Sequence, residues 1–84
     1  MTKEMVVRKN LELLEEFMKY AVEHPEILNH IPKDAQLIIL PENDQELLEM
    51  NKQTVEECKK SDRQFVVFRM KMPEKPVPQL EEIS

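Results

Sequence analysis

Three acidic residues lie close together at one point of the chain: Glu42, Asp44 and Glu46. They follow a short apolar run, Leu37-Ile38-Ile39-Leu40, and precede a segment with helical spacing. Open α/β sheets place ligands at the carboxyl ends of their strands, so this is where a small molecule would sit. Two carboxylates in unlike surroundings can act as acid and base. The same residues also have a structural use, because acids stabilise the start of a helix, and that is the simpler account. They are the candidate ligand-binding residues, and no residue is assigned a catalytic role.

Other chemistries find less support. His24, Glu26 and His30 form the best metal-ligand cluster, but a zinc site needs three or four converging ligands and no second pair is present. Besides Tyr20, the hydroxyl and thiol candidates are Thr2, Thr54, Ser61, Ser84 and Cys58, and neither histidine is near any of these five in sequence, so no metal site and no nucleophilic centre is assigned. The chain contains no glycine. Phosphate-cradling loops and dinucleotide fingerprints need glycine for tight turns and close backbone approach, so no cofactor is expected. The balance is against an enzyme.

The net charge is −5, which opposes general binding to nucleic acid. Residues 59 to 75 run the other way. Six basic residues there face only Asp62 and Glu74, a net of +4, which leaves −9 for the rest. That stretch is a solvated rim or a contact for an acidic partner, including the acidic helices of a second copy. Phe65 and Phe68 are interleaved with it as in base-stacking sheets, but an apolar strand explains them more simply. The single Cys58 excludes an intrachain disulfide and falls on an apolar helical face, as a buried thiol would. No apolar run approaches the roughly 20 residues that span a membrane, and a cytoplasmic location is the default expectation.

The elements that position these groups are legible from periodicity. Leu37 to Leu40 and Phe65 to Phe68 are short, wholly apolar runs that read as strands. Between them, Asn43 can cap a helix with Glu46 completing a capping box. Leu47, Leu48, Val55 and Cys58 share that helix's apolar face, and Ser61-Asp62-Arg63 ends it. This is one β-α-β unit with two parallel strands and a right-handed crossover. Ahead of it, a long helix is expected from Lys3 to Glu23 with Thr2 as cap. His24-Pro25 breaks it, and a short helix from Pro25 follows, with Ile27, Leu28 and Ile31 closing the base of the core. The fold class is therefore α/β. Residues 1–71 form a single small domain and residues 72–84 a Pro-rich tail, extended at first, with a last helical turn possible over Gln79 to Ser84.

With those elements placed, the chain resembles a small prokaryotic family known only as a domain of unknown function. The resemblance is carried by Arg8-Lys9-Asn10-Leu11-Glu12-Leu13, by His24-Pro25-Glu26 with Ile31-Pro32, and by Ile39-Leu40-Pro41-Glu42-Asn43-Asp44. It covers roughly residues 3 to 71 and omits the tail. It implies the helix-strand-helix-strand order and implies no activity.

Two strands make a marginal sheet. Both are apolar throughout, so both faces should be covered, and their edges invite pairing. The first helix has an apolar stripe, Val7, Leu11, Leu14, Met18 and Ala21, widened by Val6, Leu13, Phe17 and Tyr20. It is broader than one contact needs. The expectation is a homo-oligomer, commonly a two-fold dimer, that completes the sheet or joins through the first helix. Val7, Leu11, Leu14, Met18 and Arg69 are the candidate interface. The leading function is a small cytoplasmic interaction, accessory or regulatory protein, with an unidentified protein partner also admitted. The alternative is a small-ligand module or minimal enzyme using the acidic turn. Neither nucleic acid nor membrane is an expected partner.

Overall fold

In the computed structural model, which describes residues 1–72 and 78–84, two strands are sandwiched between helices. The order is α1 (Lys3–Glu23), a 3-10 helix (Pro25–His30), β1 (Gln36–Pro41), α2 (Gln45–Lys60) and β2 (Phe65–Met70). The strands pair in parallel, with Gln36 opposite Phe65 and Pro41 opposite Met70. This is the expected β-α-β unit behind a long helix. The expected extended run over the prolines falls largely on residues 73–77, outside the described residues.

The caps explain the helix bounds. The Thr2 hydroxyl accepts from the Met5 N–H at 3.2 Å and starts α1. His24 leaves the helical region at φ −131°, as a residue before proline must. The α2 cap is Asp44, not Asn43, with its carboxylate accepting from the Leu47 N–H at 3.2 Å. Asn43 has other work: its side chain donates to the Met72 carbonyl at 2.8 Å and accepts from the Met72 N–H at 3.0 Å. An amide can do both at once, whereas a carboxylate only accepts.

The core lies on both faces of the sheet. On one, Leu13 and Phe17 of α1 meet Ile39, with Val6, Ile27, Ile31 and Phe68 against them. The Phe17 and Phe68 rings lie 5.1 Å apart and tilted. On the other, Ile38 and Leu40 meet Leu48 and Cys58, with Val55 and Phe65 alongside. Alternate residues of β1 therefore serve opposite layers, as a two-sided strand requires. Leu47, in the first turn of α2, belongs to the α1 side and ties the layers at the carboxyl end of β1. Of the expected base residues, Leu28 does not contribute; it is exposed, while Ile27 and Ile31 pack inward. Residues 79–84 form no helical turn and carry no regular structure. Leu80 and Ile83 point away from any core and cannot anchor a turn there.

With no glycine to use, the chain places Asp34 (φ 70°) and Asp62 (φ 55°) in the left-handed region. Asp62 does so at the end of α2, where the Arg63 N–H donates to the Cys58 carbonyl at 3.0 Å. That is the glycine position of a Schellman ending, occupied by a residue that pays a steric penalty and puts a negative charge at a helix C-terminus. Replacing it, Asp62→Gly, is expected to stabilise the fold by about 0.5–1 kcal/mol, read as an increase of about 2–8 °C in Tm by circular dichroism. An unchanged or lowered Tm would contradict this account.

Candidate functional site

The acidic turn sits where β1 hands over to α2, and its carboxylates are divided among separate tasks. Asp44 is engaged at both oxygens. Oδ1 caps α2, and Oδ2 accepts from the Lys9 Nζ of α1 at 2.8 Å. The Lys9 hydrogen bond holds the Asp44 carboxyl below its ordinary range, against the opposing effect of burial and with help from the Leu47 N–H. The same bond raises Lys9 above the ordinary lysine value. Glu46 is exposed and pairs with the amino group of Met1 at 2.7 Å. Glu42 is exposed, and its N–H closes the ladder by donating to the Met70 carbonyl at 2.9 Å. The turn thus joins α1, α2 and the end of the sheet, and Asp44 has no oxygen left unpartnered. The nearby hollow, of about 260 Å³, is bordered by Lys9, Asp44 and Met72.

The histidines serve locally. The His24 ring stacks on Tyr20 at 4.3 Å and its Nδ1 lies 3.6 Å from Glu26. Among the described residues, no group of three His, Cys, Asp or Glu side chains converges as metal ligands would. Cys58 is buried, with its Sγ 3.4 Å from Gln36 Oε1.

The more developed feature is the outer edge of β1. The Gln36 N–H donates to the Gln64 carbonyl and the Glu42 N–H to the Met70 carbonyl. Even-numbered residues of β1 therefore face β2, and the peptide groups of Leu37, Ile39 and Pro41 face outward. The carboxyl half of that outward row is partly used. Pro41 has no N–H, and its carbonyl accepts from the Asp44 N–H at 3.4 Å. The Ile39 carbonyl accepts from Asn51 Nδ2 at 2.9 Å. Asn51 in turn donates to Asn10 Oδ1 of α1 at 2.9 Å. Asn51 is only 6% exposed. The two asparagines form a clasp between the helices across the carboxyl half of the strand edge.

Below the clasp the edge opens into a groove of about 460 Å³, lined by Val7, Leu11 and Leu14 of α1, by residues 36–39, and by Asn51 and Thr54 of α2. Three of the candidate interface residues thus converge on one surface. Val7, Leu11, Leu14 and Met18 are exposed by 53, 61, 40 and 46%, whereas Leu13, Phe17 and Ala21 take the core face of α1. Ala21, read as part of the same stripe, belongs to the core face instead. Arg69 is set apart on β2. Sequence reasoning missed Asn51, although a signal was there: it lies four residues after Leu47 and four before Val55, a polar residue on an apolar face.

Two substitutions test these roles. Because the Asp44 pKa is lower folded than unfolded, its charge contributes stability that is present above the ordinary aspartate value, about 3.9, and is lost as pH falls through the folded value. Asp44→Asn keeps a capping side chain but loses the charge. Its deficit against the native protein in urea unfolding is expected at pH 7 and should shrink toward pH 3; a deficit independent of pH would contradict the ion-pair assignment. Asn51→Ala leaves the Ile39 carbonyl and Asn10 without their partner and is expected to cost about 1–3 kcal/mol by urea titration.

The chain belongs to the family described as "Family of unknown function (DUF5647)", which it matches over residues 5–83. That span includes the segment after β2, which the resemblance seen in the sequence left out. No curated protein and no solved structure matches it.

Proposed function

We propose that this protein is a small interaction or accessory subunit of the cytoplasm that acts as a homo-oligomer through the exposed apolar face of α1. The observation that carries the reading is the continuity of that face. Val7, Leu11 and Leu14 run from the solvent side of α1 into the groove beside β1, and Met18 extends the row. Four large apolar side chains aligned at helical spacing and left at least 40% exposed form the kind of patch that marks a contact site. A second copy offering the same row would cover it through a two-fold contact, the commonest solution. The lone buried thiol suits a reducing compartment. Among the described residues no helix is long and apolar enough to cross a membrane.

Sedimentation velocity tests the reading. The native chain is expected to self-associate at micromolar concentration, and Leu11→Glu with Leu14→Glu to sediment as a smaller species of unchanged circular dichroism. Native protein that sediments only as a monomer would refute it.

A further inference from the structure

We propose that the outer edge of β2 receives residues 79–84 of a second copy as an added strand. The two edges of the sheet are not equivalent. The β1 edge is obstructed by Pro41 and by the asparagine clasp. By the alternation fixed at Gln64 and Met70, the peptide groups of Phe65, Val67 and Arg69 face outward from β2. Among the described residues no backbone hydrogen bond from beyond the ladder reaches those three. An exposed row of this kind is a template for an extended segment.

Residues 79–84 have the composition such a template selects. They lie beyond the last proline, so every residue can donate to a ladder. In their own molecule they are exposed and outside any strand, with Leu80 at 78% and Ile83 at 79% exposure. The family match nevertheless runs through Ile83. Leu80 and Ile83 are three apart, so in a strand they project to opposite faces. Each face of the β2 edge offers apolar side chains, with the exposed Arg69 beside Val67. One carries Phe68 and Met70 beside a hollow of about 260 Å³ that Phe17, Tyr20 and Ile27 also line. On the other, Val67 is 37% exposed.

Charge selects the same pairing. Arg63, Arg69 and Lys71 flank the edge, and Glu81 and Glu82 sit within the added segment. Pairing β2 with another β2 is disfavoured: an antiparallel register centred on Val67, which would use all three outward residues, sets Arg63 opposite Lys71, and like charges directly opposite are destabilising. The proposal shares with the α1 contact only the premise that copies meet, and it uses a different surface.

The test exchanges charges between two full-length variants and reads amide hydrogen exchange at Phe65, Val67 and Arg69. One variant carries Arg69→Glu and Lys71→Glu, the other Glu81→Lys and Glu82→Lys. Native protein is expected to show protection at these amides that grows with concentration. Each variant alone should lose it, and an equimolar mixture should regain it, because only then does an acidic segment meet a basic edge and a basic segment an acidic edge. A fold-back of each chain on itself cannot be rescued by mixing. Protection retained in either variant, or absent from the mixture, overturns the proposal. Sedimentation separates the two contacts: the Arg69→Glu, Lys71→Glu variant is expected to stay a dimer through α1, and to become a monomer only when Leu11→Glu and Leu14→Glu are added to it.

Discussion

A sheet of two strands stands only if both of its faces are kept dry. Every other feature here follows from that requirement. β1 supplies alternate residues to two layers, Ile39 to α1 and Ile38 with Leu40 to α2. The parallel pairing needs a crossover helix, which provides one layer without further chain. The other layer needs a second helix, and α1 is long enough to reach from Lys9 at the end of β1 to Phe17 against Phe68. A domain of this size buries only about 60% of its unfolded surface, so polar ties at the rim matter. The Lys9–Asp44 pair and the Asn10–Asn51 clasp both join α1 to α2 around the strand they enclose.

The fold is largely legible in the sequence, for identifiable reasons. Short apolar runs of strand length, a proline after His24 and a capping residue after Pro41 are local signals, and each found its element. What was not legible depended on the third dimension. Asn43 and Asp44 are both competent caps, and the choice between them turned on Met72, which lies 29 residues from Asn43. The α1 stripe was too wide for one contact, but only packing could divide it into Leu13, Phe17 and Ala21 within and Val7, Leu11, Leu14 and Met18 without. Asn51 was overlooked because periodicity counts apolar positions, and its partner is a backbone carbonyl on another element. The candidate ligand residues Glu42, Asp44 and Glu46 were read from their spacing in the chain, which could not show that Asp44 is committed to Lys9 and Leu47.

The two edges carry different chemistry for the same physical reason. An open row of peptide groups is satisfied by whatever comes within reach. On β1 that is an asparagine from α2 and a proline that withdraws a donor. On β2 the outward row is flanked by Arg63, Arg69 and Lys71. The charge imbalance of the sequence thus becomes a basic strand margin on a chain whose net charge is −5.

The left-handed aspartates also bear on the denatured ensemble. A chain with six prolines and no glycine has fewer backbone states to roam when it melts, because proline fixes one dihedral and every other residue is hindered by its Cβ. Holding Asp34 and Asp62 at positive φ raises the enthalpy of the native form, while the missing glycines lower the entropy gained on disordering. The two effects have opposite sign. A polypeptide of this length with so small an interior thereby draws part of its cohesion from a restricted coil.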